Sequence, residues 1–272
     1  MSLNEILRIK KSQIIGPHEI IKNIQTRQNL NTKILLGSRN FDDVLGTGFS
    51  QGRKYLIFGA NKTGKTQLCH QLCVQAYKNF KNITNNKDIK YIFYFDTENT
   101  FRPERLKELL IPFLSEMNNL LKSILVSKIM SNSALLLALK DVDNIIKNTN
   151  GGVLIIDSIN NHFRSDLGNK DLSYTKTKNM FLNILNKVND LNHKYNLTTV
   201  VTSQVSSNFT KKGFIKELPV GNQFLNHYFS EYVYLRKKDS ETNFVQLVNS
   251  LYHSEKRLLY KITSGGIQDL KI

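Results

Sequence analysis

Gly59-Ala60-Asn61-Lys62-Thr63-Gly64-Lys65-Thr66 decides the reading of this chain. The eight residues fit the pattern G-x-x-x-x-G-K-S/T, and their neighbours supply the context that gives the pattern meaning. A short apolar run, Tyr55-Leu56-Ile57-Phe58, stands before them, and Lys65 to Phe80 has a helical pattern after them. A glycine-permitted loop between a strand and a helix turns several backbone N–H groups inward. The helix adds the partial positive charge of its N-terminus. Such a cradle takes phosphate groups. Gly59, Asn61, Lys62, Thr63 and Gly64 form its wall, Lys65 is placed for the β and γ phosphates, and the Thr66 hydroxyl is placed for Mg2+. The cofactors this implies are a nucleoside triphosphate and Mg2+.

Working outward, three more apolar runs end in polar residues. Val153-Leu154-Ile155-Ile156 ends in Asp157, a carboxylate at a strand tip that can join the Mg2+ shell. Tyr91 to Phe95 ends in Asp96-Thr97-Glu98, facing the crevice where open α/β sheets hold ligands. There Glu98 is the candidate for polarising the attacking water; a helix-capping acidic cluster ahead of Arg102 is the other reading of the same residues. Leu197 to Ser203 ends in Gln204, which either senses the γ phosphate or is an ordinary polar strand end.

Between these runs lie helical patterns over Arg102 to Leu121 (interrupted at Pro112), Ser133 to Asn148 and Tyr174 to Tyr195. All-apolar strands alternating with amphipathic helices indicate an α/β fold, with a mostly parallel twisted sheet and helices on both faces. After about Phe229 the pattern changes. Tyr232 to Leu235, Phe244 to Val248 and Leu258 to Ile262 are closely spaced, with Ser, Gly, Lys and Asp turns, and predict antiparallel C-terminal strands. Residues 1–30 read as an N-terminal arm or linker carrying a short helix, and 31–272 as one ATPase domain. The Asn/Lys stretch Asn79 to Lys90 reads as a solvated loop.

Of 272 residues, 38 are Lys or Arg against 22 Asp or Glu, a net charge of +16, which favours a polyanion as partner. Apolar residues make up 40%, enough for a globular core, and Pro numbers only 4, which excludes a collagen-like chain. No apolar run reaches bilayer-spanning length, and the opening MSLNEILRIKKSQ lacks a secretory h-region, so an intracellular protein without a membrane partner is expected. The two cysteines, Cys69 and Cys73, lie four apart on a predicted helix and read as small buried hydrophobes.

Four segments taken together carry a resemblance: GANKTGKTQ (59–67), DTENTFRPERL (96–106), GVLIIDS (152–158) and TVVTSQV (199–205). In order they resemble the nucleotide-site motifs of RadA-type recombinases, the archaeal and eukaryotic branch of the RecA superfamily. TFRPERL is the most distinctive piece. The likeness covers roughly residues 30 to 240, with a looser pattern at Gly221 to His227 and Tyr234 to Lys237. It implies a RecA-like P-loop ATPase core, with ATP as its nucleotide, in which Gln67 joins the nucleotide-binding run. It further implies Glu98 as catalytic base, Lys65 and Gln204 as catalytic partners, Asp157 as a metal-shell acid and Arg105 stacked on adenine. By the same resemblance Gln204 couples the γ phosphate to the following DNA-binding loop, and DNA lies inside a filament of homo- or hetero-oligomeric recombinase-type subunits.

The chain also departs from that pattern. The family's helix–hairpin–helix domain finds no counterpart in residues 1–30, and Ile14-Ile15-Gly16-Pro17 stands where the family has its Phe-x-x-Ala oligomerisation motif. Asn99 replaces a glycine, a change a positive φ tolerates. The loop after Gln204 is shorter. A core-only RadA paralogue for DNA recombination and repair is the expectation, located in the nucleus if eukaryotic and in the cytoplasm or nucleoid if archaeal.

Two basic segments follow the strand tips. Phe163 to Lys170 aligns with the family's first DNA loop, offering Arg164 and Lys170. Phe209 to Lys216 stands at the second, offering Phe209, Lys211, Lys212, Phe214 and Lys216. Lysines release counterions from phosphates and aromatic faces stack on unpaired bases, which suits single-stranded DNA, with duplex as a further partner. A solvated basic loop is the alternative. Lys176 and Lys178 open a long helix, an unfavourable dipole position without an anion nearby. Two rival functions share this sequence: a nucleotide-sensing scaffold for a recombinase partner, and a ring-forming helicase.

Overall fold

The computed structural model describes residues 32–83, 90–111, 113–146, 152–207 and 215–270. The arm through residue 30, with Ile14 to Pro17, lies outside the described residues, as do Phe209, Lys211, Lys212 and Phe214.

Strand β1 (Lys33–Ile34) pairs antiparallel with β2 (Phe49–Ser50) around helix α1 (Arg39–Val44). Then come β3 (Lys54–Phe58), α2 (Lys65–Ile83), β4 (Ile92–Asp96), α3 (Pro103–Leu110), α4 (Met117–Ser123), β5 (Ile124–Lys128), α5 (Asn132–Ile146) and β6 (Val153–Asp157). The chain continues through α6 (Asn161–Gly168), α7 (Tyr174–Tyr195), β7 (Thr198–Ser203), β8 (Val205–Ser207), β9 (Glu217–Pro219) and α8 (Asn222–Leu225). It closes on β10 (Glu231–Lys237), β11 (Thr242–Asn249), β12 (Lys256–Thr263) and β13 (Gly266–Gln268).

Among the described residues the main sheet runs β13-β12-β11-β10-β3-β7-β6-β4-β5. The block from β10 to β5 is parallel throughout. β10, β11, β12 and β13 pair antiparallel, as the closely spaced C-terminal runs predict. The central strands are apolar on both faces because both faces are covered. Tyr55 and Ile57 point into one core with Leu68, Leu72 and Leu106, while Leu56 and Phe58 point into the other with Leu139, Ile184 and Leu185.

Helix α7 runs from Tyr174 to Tyr195, as its periodicity predicts, and ends where Asn196 takes a left-handed conformation (φ 51). The Asn/Lys stretch starts later than expected, because α2 continues to Ile83. Cys69 and Cys73 are free and buried on α2. No described helix is long and apolar enough to cross a membrane.

Candidate nucleotide site and nucleic-acid segments

The phosphate loop, Glu98, Asp157 and Gln204 gather at the C-terminal tips of β3, β4, β6 and β7, which register side by side, while Gln67 and Arg105 lie on the adjoining helices α2 and α3. The loop between β3 and α2 bends through left-handed conformations at Lys62 (φ 65) and Gly64 (φ 95). Gly59 is the position that cannot change: a Cβ there would stand 2.0 Å from the Leu235 carbonyl oxygen of β10. Lys65 folds back, its Nζ donating to the carbonyls of Gly59 at 2.7 Å and Ala60 at 3.0 Å. Burial holds its ammonium below the usual lysine range, opposed by the carboxylates of Asp157 and Glu98. Thr63 is buried and donates to Ala60 O at 2.8 Å, while Asn61 and Lys62 are exposed.

Asp157 is fully buried at the tip of β6. Its carboxylate accepts from the Thr202 hydroxyl, from Tyr94 Oη at 3.1 Å and from the Thr66 hydroxyl. Burial pushes its carboxyl above the usual range despite these bonds. Among the described residues no lysine, arginine or histidine forms an ion pair with it. A buried carboxylate beside a hydroxyl, with the Lys65 ammonium near but not paired to it, is an all-oxygen donor set suited to a hard cation. Mg2+ takes few protein ligands of this type and completes its shell with phosphate and water. The donors therefore fit that ion.

Asp96 does not face the crevice. Its two oxygens accept from the backbone N–H groups of Glu98, Thr100 and Phe101, which shapes the next turn. Asn99 sits in that turn at φ 58, in the left-handed region that Asn tolerates. Glu98 is half-buried, and its Oε1 accepts from Ser158 Oγ at 2.6 Å and from Gln204 Nε2 at 2.9 Å. Lys65, Glu98, Asp157 and Gln204 thus share one site.

Beside them opens a cleft of about 830 Å³ between α2, α3 and the β12–β13 turn, lined by Thr66, Gln67 and Arg105. The Arg105 guanidinium donates to Gln67 Oε1 at 2.6 Å, to Ser264 O at 2.6 Å and to Thr263 O at 2.9 Å, with Glu108 beside it. It is held flat against the cleft wall.

Several supporting residues escape a reading of the sequence. His70 is buried, with Nδ1 against Thr66 O at 2.8 Å and Nε2 accepting the Arg102 N–H at 3.0 Å. It stacks on Phe101 and so ties the FRPER turn to the helix that carries Lys65 and Thr66. Asn160, wholly buried, takes the Gln204 N–H and donates toward Gln204 O, Ser203 Oγ and Val220 O, closing the base of the following hairpin. Two further supports, Tyr94 and Thr202, carry a chemical signal: a Tyr or Thr inside a buried strand needs a partner for its hydroxyl, and both find theirs in Asp157.

The first basic segment is not a loop through its length. Residues 161–168 form α6, because Phe163 is buried and stacked on Phe181 at 4.1 Å. Arg164 and Lys170 are exposed, and Arg164 Nη1 donates to Gln204 Oε1 at 2.9 Å. Of the second segment, residues 215 and 216 are described: Lys216 is exposed and directly precedes β9, which pairs antiparallel with β8. Lys178 lies 5.7 Å from the Phe224 ring, so packing accounts for this cation near the start of α7 without an anion.

The fold and the strand-tip constellation define a RecA-like P-loop ATPase core. The Rad51 family model matches residues 26–270, and the chain belongs to the Rad51 family. It is similar to the meiotic recombination protein DLH1 of Candida albicans, at 31% identity over 242 residues covering 87% of this chain and 73% of that protein. It is likewise similar to the meiotic recombination protein DMC1/LIM15 homolog of Mus musculus, at 31% identity over 252 residues covering 90% of this chain and 72% of that protein.

Proposed function

We propose that this protein is a DNA-dependent ATPase of homologous recombination and repair, which hydrolyses ATP with Mg2+ and binds single-stranded DNA through its two basic segments. The observation that carries the reading is the meeting of Lys65, Glu98, Asp157 and Gln204 around one phosphate-type loop. Lys65 leaves the Gly59 and Ala60 carbonyls to meet phosphate oxygens, and the loop amides hold the remaining phosphate charge. Thr66 and Asp157 hold Mg2+, which when bound neutralises charge developing on the phosphates. Glu98 orients the attacking water through the carboxylate oxygen that Ser158 and Gln204 leave open. The base lies in the cleft beside Arg105. Arg164, Lys170 and Lys216, with Lys211, Lys212 and the rings of Phe209 and Phe214, supply phosphate contacts and stacking for the strand.

Membership of the family supports homo- or hetero-oligomeric assembly with recombinase-type subunits. Work on DNA places the protein in the nucleus of a eukaryote or in the cytoplasm and nucleoid of an archaeon.

The test is ATP turnover with and without single-stranded DNA, for the wild-type chain, Lys65→Ala and Glu98→Gln. Lys65→Ala abolishes nucleotide binding. Glu98→Gln keeps binding and loses on the order of 100-fold or more in kcat. Nucleotide binding without any Glu98-dependent turnover would instead establish the scaffold reading.

A further inference from the structure

Two clefts flank the Gln204 side chain. One, of about 430 Å³, contains Glu98; the other, of about 640 Å³, contains Arg164. Asn161 and Gln204 are the residues that line both. Gln204 is bonded at both ends of its amide: Nε2 donates to Glu98 Oε1 at 2.9 Å and to Asn161 Oδ1 at 3.2 Å, and Oε1 accepts from Arg164 Nη1 at 2.9 Å. The terminal torsion of a glutamine is broad and roughly two-fold, so its orientation is set by partners. A flipped amide would set an oxygen against the Glu98 carboxylate.

The three partners are unequal. Arg164 is exposed and belongs to the segment assigned to phosphate, so a bound strand draws it away. Asn161 cannot follow. It is half-buried, and its Nδ2 donates to Thr97 O at 2.6 Å, next to Glu98 in the chain. Thr97 is itself fixed, with its N–H on Asp157 O at 2.9 Å and its hydroxyl exchanging 2.8 Å bonds with the Ser158 backbone.

We propose that Asn161 is a positioning residue that keeps the Gln204 amide turned donor-first toward Glu98 when Arg164 leaves to bind a polyanion. The role rests on the ATPase reading of Glu98 and Gln204. Asn161 touches neither the phosphate loop nor Arg105; the Thr97 carbonyl is its anchor and the Gln204 amide is the group it orients.

A double-mutant cycle on the full chain decides it. Steady-state ATP turnover is measured for wild type, Asn161→Ala, Gln204→Ala and the double variant, with and without oligo-deoxythymidine. Asn161→Ala lowers kcat about tenfold, leaves KM for ATP within about twofold, and costs more with the oligonucleotide present than without it. In the Gln204→Ala background the second substitution adds nothing. Full additivity, or an unchanged kcat in Asn161→Ala, overturns the role while the ATPase reading stands. A wild-type chain that binds nucleotide but never turns it over removes the ATPase reading and the role together. Should Asn161→Ala not fold, the cycle run with the similarly sized Asn161→Leu, which can neither accept from Gln204 nor donate to Thr97 O, separates the same outcomes.

Discussion

Asp96, Asp157 and His70 at the nucleotide end of the sheet are buried and bonded from several sides, whereas Arg164, Lys170 and Lys216 on the basic segments end in solvent. The first group is preorganised. Its strand tips are locked by the sheet, and a small rigid ligand of fixed charge can meet it without rearrangement. The second group presents long, exposed cations on a short helix (Arg164), just after it (Lys170) and just before β9 (Lys216), which suits a flexible polymer that presents phosphates at variable positions. The two regions should therefore fail in different ways: the first through packing and backbone geometry, the second through charge and salt.

Gly59→Ala gives the largest expected effect. Its methyl would overlap the Leu235 carbonyl at a backbone φ of 150, so either the loop or β10 must move. The variant loses about 3 kcal/mol or more of stability in a denaturant titration, together with nucleotide affinity. A variant within about 0.5 kcal/mol of wild type would show that the loop is not held as described.

The double charge reversal at Lys211 and Lys212 tests the other region. Stability is unchanged, while single-stranded DNA affinity falls and the slope of log K against log salt flattens by about 1.4 or more, the share of two phosphate contacts. Equal slopes would take the second segment out of the interface.

The smallest effect sharpens the comparison at a contact that belongs to neither region. Asp269 accepts from Ser38 Oγ at 2.6 Å and from the N–H groups of Arg39 and Asn40 at 3.0 Å each, fastening the last strand to the start of α1. Burial tends to raise its carboxyl, but these bonds outweigh it and hold it below the usual range. A depressed carboxyl contributes stability above the unfolded value of about 3.9 and loses it as the pH falls through the folded value. Asp269→Asn therefore costs about 1 kcal/mol at pH 7, and the gap between variant and wild type closes as the pH falls below the folded-state value. A gap that persists in acid would mean that shape, not charge, makes the contact.

The strand tips were legible in the sequence because each ends an apolar run in a polar residue at the position where chemistry is needed. Phe58-Gly59, Ile156-Asp157 and Ser203-Gln204 all fall within a residue of the observed strand ends. Registers between strands are not written in any one segment. Tyr94, Thr202 and Asn160 read as filler in apolar runs until the sheet sets them beside Asp157 and Gln204. The helical character of residues 161–168 was masked by the charge of Arg164 and the glycine at 168. What decides it is the Phe163–Phe181 stack, a contact between segments 18 residues apart. The sequence does not separate Asp96 from Glu98; what does is the turn, whose backbone amides consume the Asp96 carboxylate.

One contact reaches across most of the chain. The Tyr260 hydroxyl donates to Thr63 O, the Ile262 side chain fills the space beside Gly64, and the Thr263 and Ser264 carbonyls hold Arg105. The first third of the polypeptide thus takes the shape of its pocket from the final hairpin. Ligand occupancy accordingly registers as slowed amide hydrogen exchange in β12 and β13, so an isotope label there serves as a gauge of what the loop is holding.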